Sequence, residues 1–102
     1  MAVALQIEWD GFTPQQYDDL RRKLDWDNNP PDGALFHAAW FENDSLHVFD
    51  VWDSREDFQR FLEQQVIPNL EGGMPTARPR LDFRPLHATI NDQATRLRRS
   101  IQ

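Results

Sequence analysis

Two strand-like segments in the middle of the chain, Leu35 to Phe41 and Leu46 to Trp52, leave few folds open to it. The polar residues between them, Glu42 to Ser45, predict a tight hairpin turn centred on Asn43 and Asp44. Pairing outward from this turn places Phe41 opposite Leu46, Trp40 opposite His47, and His37 opposite Asp50. Because side chains alternate between the two faces of a strand, this register also fixes which residues share a face.

Both faces of the predicted hairpin are mainly apolar. One face carries Phe36, Ala38, Trp40, His47, Phe49 and Val51, and the other carries Leu35, His37, Ala39, Phe41, Leu46, Val48, Asp50 and Trp52. An antiparallel sheet with one solvated face shows polar residues on that face. The hairpin therefore needs a covering layer on each side.

One strand and one helix are predicted before the hairpin. Residues Ala2 to Glu8 alternate in polarity, which is typical of a strand. Pro14 to Leu24 has an apolar stripe at helical spacing, and Thr13 with Gln16 forms a capping box at its start. Asp25 to Gly33 follows as a stiff loop, because its two prolines and terminal glycine forbid regular structure.

A second helix and a last strand follow the hairpin. Ser54 caps an amphipathic helix that continues to about Leu70, with Pro68 expected to kink or shorten its end. Arg80 to Ala88 predicts the last strand, and Pro85 indicates that this strand is at an edge of the sheet. Residues 91–102 are polar with a thin apolar stripe, which fits a short docked helix or a loose tail.

The order of these elements predicts an α+β, ferredoxin-like βαββαβ domain over residues 1–90. We expect a four-stranded antiparallel sheet with two helices on one face. We also expect the first and third strands to run parallel, so that both helices start at one end of the sheet, near Thr13 and Ser54. Free backbone amides at that end favour an anionic or phenolate group.

The second apolar face of the sheet predicts a partner, because two helices can cover only one face. Monomers rarely expose an apolar patch of that extent. A second copy of the sheet, related by a two-fold axis, is the simplest cover, and we expect a homodimer that forms an α+β barrel. The alternative is that residues 91–102 fold over the face, although they form a short and polar lid.

Charge and composition exclude several classes of protein. The formal net charge is −6 and basic residues cluster only in short runs, such as Arg96, Arg98 and Arg99, so we expect no nucleic-acid partner. No apolar run is long enough to span a membrane, and residues 1–8 lack the basic start of a signal peptide. The chain has no cysteine, which suits a cytoplasmic protein.

The element order, the length and the doubly apolar hairpin resemble the dimeric α+β barrel superfamily. In particular, the chain resembles its small antibiotic-biosynthesis-monooxygenase-type domains, many of them uncharacterised actinobacterial proteins. Phe49 to Phe58 is similar to that family's strand-to-helix step, and Gly11 to Tyr17 to its first-helix opening. The superfamily includes cofactor-free oxygenases, haem-degrading oxygenases, isomerases, effector-binding domains and proteins of no known activity. The resemblance implies a homodimer with a cavity between each sheet and its helices or partner.

His37 and Asp50 are the strongest candidates for catalysis, because the register places them opposite each other on one face. A carboxylate beside an imidazole fixes its tautomer, which is the usual setting of a general base. The alternative is a buried polar pair that only satisfies its own hydrogen bonds. Trp52, on the same face, is either a stacking surface for a flat ligand or a core residue.

Three further residues are candidate ligand contacts: Gln6 on the first strand, and Arg84 and His87 on the last. Arg84 and His87 have opposite parity, so at most one of them faces the cavity directly. A metal site is not expected, because His37 and His47 project to opposite faces and the chain has no HExxH motif or Cys cluster. The haem-degrading members of the superfamily that this chain resembles use a histidine on the second helix, and residues 54–70 contain none. The chain also has no Gly-rich phosphate loop, so we expect no cofactor.

Two functions are open at this point. The resemblance implies a cofactor-free monooxygenase-like enzyme for a small aromatic or polyketide-like compound. His37 takes a proton from this compound, and the resulting carbanion or enolate reacts with oxygen. The alternative is a non-catalytic dimer that binds a small ligand or serves as an accessory subunit. A cavity of ~300 Å³ or more at His37 favours an enzyme or carrier, and a filled interior favours a structural dimer.

Overall fold

The computed structural model describes residues 1–70 and 77–88, whose helices and strands follow the predicted order. They are β1 (Val3–Asp10), α1 (Pro14–Leu24), β2 (Ala34–Glu42), β3 (Ser45–Trp52), α2 (Arg55–Phe61) and β4 (Arg80–Pro85). The strands form one antiparallel sheet in the order β2-β3-β1-β4, with both helices on one face. The α+β ferredoxin-like fold is therefore confirmed. The predicted tail or short helix at 91–102 lies outside the described residues.

The direction of β1 relative to β3 differs from the prediction. The two strands are antiparallel, with Val3 opposite Trp52, so the expectation of a parallel first and third strand is wrong. The parallel pair is β1 and β2, which α1 connects, and the hairpin turn places β3 between them. The starts of α1 and α2, at Thr13 and Ser54, consequently lie at opposite ends of the sheet. They do not form a shared anion site.

The central hairpin has the predicted register along most of its length. Asn43 and Asp44 both have positive φ, 54° and 60°, which is the turn conformation that matches the twist of the two strands. At the far end of β2 the ladder shifts between Ala34 and Phe36. Leu35, predicted on the face of His37, is therefore displaced at an irregularity and is 41% exposed.

Both helices begin at the predicted caps, Thr13 for α1 and Ser54 for α2. The α-helical part of α2 ends earlier than predicted. It continues as a π-helical turn, Leu62–Val66, and a 3-10 turn, Ile67–Asn69. Pro68 lies in the last of these turns, where its missing N–H breaks no α-helical hydrogen bond.

The core lies between the sheet and the two helices. Its buried apolar residues are Leu5, Trp9, Phe12, Leu46, Val48, Trp52, Phe58, Phe61, Val66 and Leu70. The strand members of this cluster all come from β1 and β3, the two central strands. Any site on the helix-covered face must therefore lie within this core or at its edge.

The sheet face that points away from the helices is called the open face below. Over β2 and β3 it is apolar, and Phe36 and Trp40 are 46% and 47% exposed. Over β1 and β4 it is charged, because Arg80 donates hydrogen bonds to Glu8 and Asp10. The second apolar face predicted from the hairpin is therefore confined to the half of the open face that β2 and β3 form.

Candidate functional site

A cavity of about 80 Å³, called the inner cavity below, lies between the sheet and the two helices. Most of its wall consists of apolar side chains from β1, β3, α1 and α2. Tyr17, Arg21, His37 and Asp50 contribute a phenol, a guanidinium, an imidazole and a carboxylate. These four groups are the chemistry available to anything bound there.

The predicted pair of His37 and Asp50 forms at this cavity. His37 lies directly opposite Asp50, and its Nδ1 is 2.6 Å from Asp50 Oδ1. The indole N–H of Trp52 donates to Oδ2 of the same carboxylate at 3.0 Å. The side chains of His37 and Asp50 are 17% and 3% exposed. The two hydrogen bonds therefore offset the cost of removing the Asp50 carboxylate from water. The bond at Nδ1 also fixes the orientation of the His37 ring.

The other imidazole nitrogen contacts a residue that the sequence analysis assigned only to the apolar stripe of α1. The Tyr17 hydroxyl lies 2.7 Å from His37 Nε2. Arg21, one helical turn later, donates to this hydroxyl at 3.1 Å and to Asp27 at 2.6 Å. A chain of hydrogen bonds therefore connects buried Asp50 through His37, Tyr17 and Arg21 to Asp27 at the surface.

The sequence contained part of the signal for this chain of bonds. A tyrosine in the buried stripe of a helix needs a polar partner for its hydroxyl, and Arg21 at i+4 is its natural neighbour. The contact of Tyr17 with His37 follows from how α1 lies across the sheet, which no residue spacing encodes.

The hydrogen-bond pattern is complete with a neutral imidazole. In this assignment Nδ1–H of His37 donates to Asp50, the Tyr17 hydroxyl donates to Nε2, and the Tyr17 oxygen accepts from Arg21. Burial raises the pKa of Tyr17, and the nearby Arg21 guanidinium opposes this with a smaller effect. The phenol is therefore protonated at neutral pH. With this tautomer, His37 Nε2 is an acceptor, which is the state that a general base needs.

Aromatic rings enclose this pair from the side of the helices. The Trp26 ring centroid lies 4.9 Å from that of His37 and, edge-on, 5.2 Å from that of Phe61. Trp52 is fully buried and does not line the inner cavity. This packing favours the interpretation of Trp52 as a core residue over that of a stacking surface for a ligand. Its indole N–H also holds Asp50 in place.

The three other predicted ligand contacts lie elsewhere. Gln6 lies on the open face, opposite Phe49 and Asp82. Arg84 is on the same face and pairs with Asp82 at 3.2 Å. His87 follows the end of β4, because the last strand is shorter than predicted, and it is exposed. The structure thus brings together His37, Asp50 and Trp52. The other three candidates, Gln6, Arg84 and His87, lie away from this group.

Gln6 instead lines a separate depression of about 390 Å³ on the open face. Within residues 1–70 and 77–88, no group of three or more His, Cys, Asp or Glu side chains lies close enough to hold a metal ion. No helix in the same part of the chain is long and apolar enough to cross a membrane.

Comparison with known proteins gives likeness of fold alone. The chain matches no protein-family model, and no curated protein matches it in sequence. A protein of unknown function from Nitrosomonas europaea, NE2512, matches with a TM-score of 0.59 at 20% identity, over 86% of this chain and 91% of that one. SnoaB, a cofactor-independent oxygenase from Streptomyces nogalater, matches with a TM-score of 0.55 at 14% identity, over 87% and 95%.

A monooxygenase from the gene ActVA-Orf6 of Streptomyces coelicolor, solved in complex with nanaomycin D, has a TM-score of 0.57 at 13% identity, over 87% of this chain and 90% of that one. The structural neighbours thus include a cofactor-independent oxygenase and a monooxygenase of the same ferredoxin-like fold. At these identities the likeness establishes the architecture that they share with this chain, and function has to be argued from the site.

Proposed function

We propose that this chain is a cofactor-free, monooxygenase-like enzyme that acts, as a homodimer, on a small aromatic or polyketide-like compound in the inner cavity. The observation that carries the proposal is the buried His37–Asp50 pair. Its 2.6 Å bond holds Nδ1 and leaves Nε2 as the proton acceptor beside an apolar cavity. The fold shared with SnoaB and the ActVA-Orf6 monooxygenase supports it, because both are oxygenases.

The proposed reaction begins with proton transfer from an activated C–H or O–H bond of the ligand to His37 Nε2. Asp50 stabilises the imidazolium that forms, as a buried carboxylate does for other histidine bases. The apolar wall excludes water and strengthens this interaction. The ligand carbanion then reacts with dioxygen. A CH₂ group becomes a carbonyl that holds one oxygen atom, and the other leaves as water, so the ligand supplies all of the electrons.

A second candidate function is a non-catalytic dimer, either a small-ligand binder or an accessory subunit. Two observations favour a dimer without catalysis and, of these two, the accessory subunit. The inner cavity, at about 80 Å³, is smaller than the ~300 Å³ at which small-molecule sites begin. Both nitrogens of His37 already have partners, and no buried side-chain nitrogen or oxygen in the described residues lacks one. The inner cavity is thus the filled interior that the sequence analysis associated with a structural dimer, whereas the larger groove that also touches His37, of about 330 Å³, lies on the outside of the protein.

The homodimer is proposed from the open face. Phe36 and Trp40 are about half exposed on its apolar half, which is an unfavourable surface for a lone subunit. The same half of a second copy, related by a two-fold axis, supplies an apolar cover of matching extent.

The assembly is tested by native mass spectrometry. The wild-type chain is expected to be a dimer, and Trp40→Glu a monomer, because the substitution buries a charge in the interface. Ile67→Glu is the control, since Ile67 is 38% exposed on the helical side of the sheet. A monomeric wild type, or a dimer that survives Trp40→Glu unchanged, contradicts the proposed interface.

Turnover is tested with anthrone, whose CH₂ group is a carbon acid flanked by two aromatic rings. The wild-type protein is expected to convert anthrone to anthraquinone with one equivalent of oxygen. Loss of the base in His37→Ala lowers the rate by roughly 100-fold or more. His87→Ala is the control, because His87 is exposed and lies away from the inner cavity. Anthrone binding without oxygen uptake supports the non-catalytic dimer, and an unchanged rate in His37→Ala excludes this histidine as the base.

A further inference from the structure

The small volume of the inner cavity and the position of Tyr17 have one explanation. We propose that Tyr17 is an internal occupant of the ligand site: its ring and hydroxyl fill, in the resting protein, the position that a hydroxyl-bearing ring of the ligand takes when bound. The surface pair of Arg21 and Asp27 acts as a latch that holds it there. This inference rests on the proposed binding of a ligand at the inner cavity, and it does not require that catalysis follows.

The volume shows why an occupant has to move. A protein cavity that binds benzene measures about 150 Å³. The inner cavity, at about 80 Å³, is roughly half of that and has no room for a single added ring. Because Tyr17 itself lines the inner cavity, withdrawal of its ring joins that ring's volume to the existing space.

The hydroxyl of Tyr17 marks what a ligand oxygen meets at the same position. It lies 2.7 Å from His37 Nε2, a proton acceptor, and 3.1 Å from the guanidinium of Arg21, a fixed cation. A ligand hydroxyl placed there gives its proton to His37, and Arg21 stabilises the negative charge left on the oxygen. The two contacts therefore select a ring that carries a hydroxyl over the same ring without one.

The surroundings of Tyr17 allow it to leave. None of the residues of α1 is fully buried, and Tyr17 is itself only partly buried. Its ring meets Phe41 edge-on at 6.1 Å, and Phe41 is 37% exposed. In the latch, the side chains of Arg21 and Asp27 are 42% and 71% exposed, so solvent screens the ion pair and weakens it.

A path from the surface leads to the same point. A groove of about 330 Å³ on the outside of the protein is lined by Arg21, Trp26 and His37, which also line the inner cavity. Asp27 of the latch lies in this groove as well. These three shared side chains stand between the groove and the inner cavity. A ligand in the groove therefore lies next to the latch and the imidazole before Tyr17 moves.

The first test uses the wild-type chain, which contains one tyrosine. The ζ carbon of Tyr17 is labelled with ¹³C, and its single resonance is followed by NMR during titration with p-cresol, the side-chain analogue of tyrosine. We expect a saturable shift, because p-cresol takes the place of Tyr17 beside His37. Toluene, which has the same ring without the hydroxyl, is expected to leave the resonance unchanged at equal concentration.

The second test removes the occupant. Tyr17→Ala is expected to bind p-cresol about tenfold more tightly than the wild type, because no internal hydroxyl competes for His37. Phe83→Ala is the matched control, since it also removes a partly buried aromatic ring but does not line the inner cavity and leaves Tyr17 in place. Its affinity for p-cresol is expected to stay within twofold of the wild type.

The third test loosens the latch. Asp27→Asn removes the charge that holds Arg21 and is expected to raise the affinity for p-cresol by about two- to fivefold. Asp32→Asn makes the same change of charge in the same loop, at an exposed position away from Arg21, and is expected to have no effect.

The inference is overturned if folded Tyr17→Ala binds p-cresol no better than Phe83→Ala, or if toluene shifts the Tyr17 resonance as p-cresol does. These outcomes are separate from the anthrone assay. Binding that displaces Tyr17 without oxygen uptake supports the internal occupant and refutes the enzyme. Oxygen uptake without displacement of Tyr17 supports the enzyme and refutes the internal occupant.

Discussion

The two helices cover the same face of one sheet but pack against it very differently. α2 buries Phe58 and Phe61, which are 3% and 6% exposed and each lie 5.5 Å from Trp52 between ring centroids. The apolar stripe of α1 consists of Tyr17, Leu20 and Leu24, and each of them is only partly buried. The aromatic rings of α2 reach deep into the core, whereas α1 rests on its edge.

This difference separates the stable core of the molecule from its candidate site. Regions with few fully buried contacts open at lower free energy than the rest of a fold. The loosely packed α1 supplies Tyr17 and Arg21 to the site, while the tightly packed α2 supplies apolar wall. The proposed ligand site would therefore open at the helix whose displacement disrupts the least packing.

The largest expected effect is on the core side of this contrast. Phe58→Ala creates a cavity beside Trp52 and is expected to lower the free energy of unfolding by about 3–5 kcal/mol. Leu20→Ala, in the partly exposed stripe of α1, is expected to lower it by about 1–2 kcal/mol. Urea unfolding measures both values. Equal losses would mean that the two helices contribute alike, against the packing difference.

A pair of glycines tests the same contrast in the backbone. Gly33 has a φ of 86°, and a Cβ added to it would lie 2.8 Å from Cβ of Asp57 in the first turn of α2. Gly11, just before α1, has a φ of 77° and no atom within 4 Å of an added Cβ. Gly33→Ala is expected to lower the unfolding free energy by about 2–3 kcal/mol and Gly11→Ala by about 1 kcal/mol. A larger loss for Gly11→Ala than for Gly33→Ala would contradict the close approach of Gly33 to Asp57.

The smallest expected effect is at Tyr17 on α1. Tyr17→Phe removes the hydroxyl bonds to His37 and Arg21 and is expected to lower the unfolding free energy by about 1 kcal/mol at neutral pH. Urea unfolding at pH 7 measures the loss. A loss as large as that of Phe58→Ala would show that α1 is held as firmly as α2.

The same substitution has a pH signature. Burial raises the pKa of Tyr17 in the folded protein above the ordinary value of 10.0 for a tyrosine. As the pH rises past 10, the unfolded chain therefore loses this proton before the folded chain does, and the free energy of unfolding falls. Tyr17→Phe is expected to lack this fall. The difference between the wild-type and variant curves isolates the contribution of Tyr17 from that of every other titrating group.

The sequence predicted those parts of the fold that depend on local periodicity. The caps at Thr13 and Ser54 follow from side chains within one turn of each other. The pairing of His37 with Asp50 follows from one turn and from strand alternation, which together fix the register. A short-range rule was therefore sufficient to bring a candidate base and its carboxylate together.

Features set by tertiary arrangement were not predictable in this way. The direction of β1 against β3 depends on where the hairpin inserts, and its prediction was wrong. The contact of Tyr17 with His37 depends on the placement of α1 over β2 and was missed. The displacement of Leu35 depends on a ladder irregularity, for which alternation alone gives no signal. The homodimer stays a prediction, because it concerns a second molecule.

Trp52 belongs to the core and contacts the His37–Asp50 pair through its indole nitrogen. The indole ring is core filling that another large aromatic residue could replace, but its N–H is one of the two donors to Asp50. Phenylalanine at this position would keep most of the apolar volume and leave Oδ2 of a buried carboxylate without a donor. A substitution at this position that preserves the packing can therefore still disturb the orientation of His37. Position 52 consequently tolerates fewer substitutions than its packing alone would suggest.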